Sequence, residues 1–224
     1  MEFEVIAHIR SDFKEKFGIP RQSGLVPDTV GRIVFEEAYR SMDALRGIEG
    51  FSHLWLIWVF SANRRVPWSP TVRPPRLGGN RRIGVFATRS PYRPNPIGLS
   101  CVRLKGIEET KEGPVLVVGG ADLMDGTPIL DIKPYLPYAD SIKEAAGGFT
   151  DEDERKLLSV SFPEELKRKV DPEKTDALEG LLSQDPRPSY QKDENRVYGV
   201  SFSKQNIKFR VKGDELTVIE VEDE

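Results

Sequence analysis

A proline-rich segment, ATRSPYRPNPIG at residues 87–98, carries two arginines and an asparagine whose side chains could bind an anion. Arg89 and Arg93 are four residues apart, but the prolines of the segment exclude a helix, because each proline lacks a backbone donor and restricts the residue before it. The segment is therefore expected to form a rigid, extended loop. Side chains that are held in place before binding lose less entropy when they bind, so Arg89, Arg93 and Asn95 are candidates for a functional site.

A second segment, DLMDGTPILDIK at residues 122–133, supplies carboxylates. Asp122, Asp125 and Asp131 are the only acidic residues within residues 113–139. Carboxylates in this position could bind an amino or hydroxyl group of a ligand, or accept a proton from it. An Asp-Gly pair is also typical of a tight turn, and the alternative that Asp125 only forms that turn stays open.

Positive charge is concentrated in one stretch of a chain that is acidic overall. The protein of 224 residues has a net charge of −3, yet residues 50–107 contain ten Lys and Arg and no Asp or Glu. Arginine suits phosphate and carboxylate because its planar group donates several hydrogen bonds. The stretch is typical of a protein that binds a polyanion; the alternative is that its arginines pair with the acidic C-terminal third. The arginines are Arg64, Arg65, Arg73, Arg76, Arg81, Arg82, Arg89, Arg93 and Arg103.

Several common types of site are absent from the sequence. It has no glycine-rich nucleotide-binding motif, no serine-hydrolase elbow and no zinc-hydrolase motif. Two histidines and a single cysteine, Cys101, predict neither a zinc site nor an internal disulfide. The longest apolar run, LWLIWVF at residues 54–60, is shorter than the about 20 residues of a membrane-spanning helix. We therefore expect a cytoplasmic protein that binds no metal and does not enter a membrane.

The pattern of apolar residues predicts a mainly β fold. Because strands and helices do not alternate, a doubly wound sheet is disfavoured, and a mainly antiparallel barrel or sandwich is favoured. In the first 135 residues the pattern predicts one helix, at residues 37–47. Strands are expected at residues 5–10, 31–35, 52–60, 82–88, 97–107, 114–119 and 127–133.

A change of composition divides the chain. Residues 140–156 are polar and are expected to form a linker. The sequence after it predicts helices at 163–170 and 172–183 and three alternating strands at 196–203, 206–212 and 215–221, which together form a small α+β module. We therefore expect a β-barrel domain at residues 1–145 and a C-terminal module at residues 150–224.

The chain resembles a known family in five segments: IPRQSGLV, GFSHLWLIWVF, RPPRLGGNRRIGVFATRSPYRPNPIGLS, ADLMDGTPILDIKPYLPYADS and QDPRPSYQKDENRVYGV. The family comprises bacterial and archaeal tRNA methyltransferases that methylate N6 of threonylcarbamoyladenosine, on the 3′ side of the anticodon. The resemblance spans essentially the whole chain. It implies an S-adenosylmethionine-dependent enzyme built on an antiparallel β-barrel, with tRNA as its substrate and a homodimer as its assembly.

The resemblance also implies which residues bind the cofactor. The expected contacts with S-adenosylmethionine are Pro20, Arg21, Gln22, Ser61, Ala62, Asn63, Arg89, Leu99, Asp122, Leu123, Met124, Asp125, Gly126 and Thr127.

Four residues are candidates for catalysis. The accepting N6 is conjugated to the purine and to a carbonyl, which weakens its lone pair. A base, or a donor to the carbamoyl oxygen, should therefore help the reaction. Asp122 or Asp125 could serve as the base, and Arg89 or Arg93 as the donor.

The remaining candidates are expected to contact the tRNA, whose phosphates suit arginine and whose bases can stack on an aromatic ring. They are Arg64, Arg65, Arg81, Arg82, Arg93, Asn95 and Trp68. Two other functions stay open at this point: an RNA-binding barrel without catalysis, and a methyltransferase of similar fold that acts on a small metabolite.

Overall fold

The fold was obtained as a computed structural model. It describes residues 2–63, 67–74, 77, 81–152, 156–188 and 193–224. The first eight strands are β1 (Ala7–Arg10), β2 (Val30–Phe35), β3 (His53–Val59), β4 (Thr71–Val72), β5 (Ile83–Gly84), β6 (Ile97–Thr110), β7 (Gly113–Gly119) and β8 (Pro128–Pro134).

Six of these strands form a closed antiparallel barrel with the neighbour order β1-β2-β7-β6-β3-β8. The barrel closes where β1 pairs with β8, with Ala7 opposite Ile129 and His8 opposite Pro128. Alternate residues of each strand point inward, as the period of two requires, and these include the fully buried Ile9 and Leu56. The antiparallel barrel predicted for the first part of the chain is confirmed.

Two local predictions were wrong. Residues 37–47 form no α-helix but two short 3-10 turns, Glu37–Tyr39 and Met42–Leu45. Neither turn has a side-chain N-cap, and only Leu45 is buried, so little packing offsets the cost of starting a helix. Of the strand predicted at 82–88, only β5 forms; it pairs with β4, and Val85–Ala87 is a further 3-10 turn.

The C-terminal part forms a small α+β module, as predicted. Its sheet has the order β10-β11-β12-β9, in which β9 and β12 are parallel and the other pairs antiparallel. Its strands are β9 (Ser159–Ser161), β10 (Tyr198–Phe202), β11 (Gln205–Lys212) and β12 (Glu215–Asp223), and its helices are α2 (Glu164–Lys167) and α3 (Pro172–Ser183). A short helix α1 (Pro137–Asp140) lies before the module and bonds to β3 through Asp140 and Trp55.

The core of this module contains one residue from far upstream. Leu178, Leu181 and Leu182 of α3 pack on the inner face of the sheet, and Phe13 from the loop after β1 lies in the same cluster. The division of the chain into residues 1–145 and 150–224 stays a prediction. The N-terminal segment contributes to both hydrophobic cores: Ala7 and Ile9 lie in the barrel core, and Phe13 lies in the core of the module. Among the described residues, no helix is both long enough and apolar enough to cross a membrane.

Gly98 is required by the packing of the barrel. It lies opposite Trp58 in the pairing of β3 with β6, and a Cβ added to Gly98 would come within 2.3 Å of the indole. Trp58 is 7% exposed and cannot move aside without disturbing the core.

We predict that Gly98→Ala destabilises the protein by about 1–3 kcal/mol, the usual cost of overpacking a core. Gly84→Ala is the matched control, because a Cβ at Gly84 meets no atom of the described residues within 4 Å. Urea unfolding of both variants measures the difference. Equal midpoints for the two variants would contradict the packing constraint.

Candidate functional site

Three connections meet at one end of the barrel. Because neighbouring strands are antiparallel, β1, β3 and β7 end there, and β2, β6 and β8 begin there. The connections are residues 11–29, 60–96 and 120–127. Together with the adjoining strand ends they enclose a cavity of about 430 Å³, which is within the usual size of a small-molecule site.

Most of the predicted cofactor residues lie around this cavity. They come from all three connections and from the start of β6. The predicted cofactor residues in the lining are Pro20, Arg21, Gln22, Ser61, Ala62, Arg89, Leu99, Asp122, Met124 and Thr127. Arg93, predicted for catalysis and for contact with tRNA, lies in the lining as well.

Other predicted residues lie elsewhere. Leu123 is buried in the barrel core, and Asp125 and Gly126 form the turn beside the lining. Trp68 is 52% exposed in the connection between β3 and β6. Arg81, Arg82 and Asn95 are outside the lining as well. The side chain of Asn63 and the residues Arg64 and Arg65 lie outside the described part of the structure.

Asp122 is held by a chain of hydrogen bonds that crosses two strands. The hydroxyl of Ser100 on β6 donates to Asp122 Oδ1 at 2.5 Å. The indole Nε1 of Trp58 on β3 donates in turn to Ser100 Oγ at 3.0 Å. Ser100 is completely buried, so its hydroxyl has little freedom to turn away, and the orientation of the carboxylate at the cavity is set by the barrel wall.

Burial raises the pKa of Asp122 above that of an ordinary aspartate, because a charged carboxylate is disfavoured where water is excluded. Hydrogen bonds from Ser100 and from backbone groups, and the positive charge of Arg89, act in the opposite direction and limit the rise of this pKa. A carboxylate with a raised pKa binds a proton more readily, which is a property expected of a general base.

Asp125 has a different role in the geometry. Its Oδ1 accepts a hydrogen bond from the backbone N–H of Ser11 at 3.0 Å, and its own N–H donates to the carbonyl of Phe13 at 2.7 Å. Arg10 approaches its other oxygen at 3.9 Å. Asp125 thus joins the turn before β8 to the segment after β1, and its role in this structure is to stabilise the loop conformation.

The two arginines of the proline-rich loop are both engaged by nearby oxygen atoms. Arg89 Nη1 donates to Gln22 Oε1 at 2.6 Å, which links two walls of the cavity. Arg93 Nη1 donates to the carbonyls of Thr88 at 2.6 Å and Val85 at 3.1 Å. These bonds hold the loop in its extended path, which three prolines alone would not do.

Sequence reasoning missed the aromatic part of the lining. Trp58 and Phe60 belong to the apolar run that predicted only a strand at residues 52–60, but both line the cavity, with their ring centroids 4.3 Å apart. Gly98 lies beneath the indole. The signal for this wall is the pairing of a glycine with an aromatic residue across two strands, and the register of that pairing is not readable from the sequence.

A second cavity of about 500 Å³ adjoins the first and shares Lys16, Ile19, Pro20 and Arg21 with it. Its other side comes from the module, through α3 and the segment that follows it. The cationic residues in its lining are Lys16, Arg21, Arg73 and Arg187. Arg187 is paired with Asp185, at 2.8 Å from Nε to Oδ1.

The basic stretch is only partly neutralised within the described residues. Arg81 pairs with Glu152 from the acidic C-terminal third, at 2.8 Å. Arg82 instead donates to the hydroxyl of Thr71. In the part of the chain that the structure describes, no three His, Cys, Asp or Glu side chains lie close enough to hold a metal ion.

Comparison with known proteins covers both parts of the chain. The model of the tRNA-methyltransferase O N-terminal domain matches residues 8–141, and that of the TrmO C-terminal domain matches residues 155–224. The chain is 45% identical over 218 residues to a tRNA (adenine(37)-N6)-methyltransferase of Escherichia coli K12, covering 94% of this chain and 93% of that protein. It is 48% identical over 162 residues to a protein of the same name from Eikenella corrodens, covering 72% and 91%.

Solved structures agree with this likeness. The crystal structure of TrmO from Pseudomonas aeruginosa superposes with a TM-score of 0.80 at 34% identity, covering 99% of this chain and 97% of that one. Because both domain models match in order and together span most of the sequence, the chain belongs to the tRNA-methyltransferase O (TrmO) family.

Proposed function

We propose that this protein is an S-adenosylmethionine-dependent methyltransferase that methylates N6 of threonylcarbamoyladenosine on the 3′ side of the anticodon of tRNA. The observation that carries the proposal is that Pro20–Gln22, Arg89 and Asp122, from three separate connections, surround one cavity in a chain of the TrmO family. Relatives are named tRNA (adenine(37)-N6)-methyltransferases, and others carry S-adenosylmethionine-dependent methyltransferase in their names.

The residues around the first cavity fit S-adenosylmethionine chemically. Trp58 and Phe60 offer apolar faces for a purine, the carboxylate of Asp122 suits a cationic or hydroxyl group, and the guanidinium of Arg89 suits a carboxylate. When bound, the cofactor supplies a methyl group made electrophilic by its sulfonium. The protein's contribution is to hold donor and acceptor in line, which lowers the barrier of a direct displacement.

Asp122 is the residue that we propose to accept a proton. As N6 gains the methyl group, it must lose the proton that it carries, and a carboxylate at the cavity can take that proton. The hydrogen bond from Ser100 keeps Asp122 oriented while the charge changes. The raised pKa of Asp122 makes its carboxylate a better proton acceptor than an exposed aspartate.

Contact with tRNA is proposed for the basic surface that continues from the first cavity. Arg21 and Arg73 line the second cavity, and Arg82 bonds to Thr71, two residues before Arg73; all three carry positive charge that phosphates would neutralise. Threonylcarbamoyladenosine also bears a carboxylate, which an arginine fork would bind.

A homodimer in the cytoplasm completes the proposal. It is supported by exposed apolar residues near the cavity mouth, namely Phe86 at 75%, Leu99 at 51% and Ile97 at 37% exposure. Ile97 and Leu99 are two residues apart on β6 and therefore share its outer face. Sedimentation equilibrium would test this assembly, with a mass of one chain, 25.3 kDa, as the result that rejects the dimer.

Nucleoside mass spectrometry tests the function directly. Bulk tRNA from a strain that lacks this gene is incubated with the purified protein, with and without S-adenosylmethionine. A gain of one methyl group on threonylcarbamoyladenosine, only when the cofactor is present, would establish donor, substrate and reaction. If no nucleoside gains mass and the cofactor does not bind, the proposal is rejected and an RNA-binding barrel remains.

We predict that Asp122→Asn lowers the rate of methyl transfer by at least about 100-fold, since general-base catalysis contributes on that scale. The amide keeps the size of the side chain but cannot accept the proton. Asp43→Asn is the control, because the Asp43 side chain is 80% exposed and pairs only with Arg46 among the described contacts. The measurement is single-turnover methylation together with tRNA binding, which should be unchanged. A rate within threefold of wild type would remove Asp122 from the proposed proton transfer.

Arg82→Gln should weaken tRNA binding and make it less dependent on salt. Loss of one phosphate contact lowers the slope of log affinity against log salt by about 0.7–0.9. Arg46→Gln makes the same change of charge near the start of β3, at the opposite end of the barrel, and should leave the slope unaltered. Filter binding at several salt concentrations measures both. Identical slopes for the two variants would show that Arg82 contacts no phosphate.

A further inference from the structure

The loop between β1 and β2, residues 11–29, contacts both the cofactor cavity and the core of the C-terminal module. It contains no helix or strand, and loops longer than about 12–15 residues are uncommon unless something else orders them. We refer to it as the β1–β2 loop.

The first half of the loop packs into the module. Phe13 is 2% exposed and lies 5.9 Å from Phe202 of β10 between ring centroids. Phe17 and Ile19 pack against the same cluster. Gly18 has a φ of +86° and lies so close to β10 that an added Cβ would stand 2.2 Å from Val200 Cγ2.

Polar contacts secure the same half of the loop. Lys174 of α3 extends its Nζ to Asp12 Oδ1 and to Ser203 Oγ, each at 2.5 Å. The backbone N–H of Ser203 donates to the carbonyl of Asp12 at 3.2 Å. The Asp12 carboxylate is 21% exposed and Lys174 33% exposed, so this pair is shielded more than an ordinary surface salt bridge.

The second half of the loop forms a wall of the cofactor cavity. Pro20, Arg21 and Gln22 line it, and Ser23 Oγ accepts a hydrogen bond from the backbone N–H of Cys101 on β6 at 3.1 Å. The N–H of Gly24 donates to the carbonyl of Gly120 at 2.8 Å. Ile19, which packs against the module, is followed directly by Pro20 of the cavity wall.

We infer that the C-terminal module positions the Pro20–Gln22 wall, so that Lys174 and Phe13 act as positioning residues for S-adenosylmethionine at a site they do not touch. The module then serves cofactor binding, in addition to any contact that it makes with tRNA. This inference rests on the proposed function only for the identity of the ligand.

The test compares Lys174→Met with Lys167→Met. Lys167, the last residue of α2, is the matched control, because its ammonium pairs with Glu179 of α3, its side chain is 34% exposed, and none of its described contacts is with the loop. Isothermal titration calorimetry with S-adenosylmethionine should give a Kd at least tenfold weaker for Lys174→Met and unchanged for Lys167→Met. Lys174→Arg, which keeps the charge and donors, should restore most of the affinity.

Two further measurements separate positioning from a loss of stability or of RNA contact. Backbone amides of residues 12–24 should exchange faster in Lys174→Met, with exchange in the barrel strands unchanged. The KM for S-adenosylmethionine should rise, while the KM for tRNA stays within twofold of wild type. A Kd within twofold of wild type, or equal weakening in the two lysine variants, would overturn the inference.

A second variant probes the apolar contact. Gly18→Ala should push the loop away from Val200 and weaken cofactor binding. Gly47→Ala tests backbone strain alone, because Gly47 has the same φ of +86° and its added Cβ would meet no atom within 4 Å in the part of the chain that the structure describes. Equal affinities for the two variants would count against the inference. If the wild-type protein itself binds no S-adenosylmethionine, the proposed function fails instead, and the hydrogen exchange result still reports whether the module orders the loop.

Discussion

The pairing of β1 with β8 is the constraint on which the site depends. It closes the barrel and brings the segment after β1 beside the turn before β8, where the N–H of Gly126 donates to Ile9 and that of Ile9 donates to Thr127. This strand pair joins residues about 120 positions apart in the chain, and it fixes the start of the connection 11–29 and the end of the connection 120–127. Without closure, the segment after β1 and the turn before β8 would lie at opposite edges of an open sheet, and the hydrogen bonds between them would be lost.

Closure also decides the chemistry of Asp122. The barrel wall shields the carboxylate from water, which raises its pKa, and the same wall supplies the Ser100 hydroxyl that binds it. Trp58 holds that hydroxyl and lines the cavity with its ring. One residue of β3 therefore contributes to the barrel core, to the apolar face of the site and to the orientation of the carboxylate, and Gly98 must lack a side chain to make room for it.

The β1–β2 loop contacts both the barrel and the C-terminal module. A loop without regular structure gains order only from its contacts, since ordering its backbone opposes folding. Here the contacts come from the barrel at Ser23 and Gly24 and from the module at Phe13 and Gly18. Consequently the N-terminal segment is shared between two hydrophobic cores, and a division at residues 145–150 does not describe the packing completely.

The sequence by itself determined the strand pattern, the mainly antiparallel fold, the basic stretch and, through the family resemblance, most residues around the cavity. The strand pattern and the basic stretch can be read from neighbouring residues in the sequence, through the alternation of apolar and polar residues, the restriction by proline and the uncompensated charge. The tertiary structure alone decided that Asp122 faces the cavity while Asp125 bonds to Ser11, that Trp58 opposes Gly98, and that Phe13 packs beneath the module. These outcomes depend on strand register and on contacts between residues far apart in sequence, which no local pattern encodes.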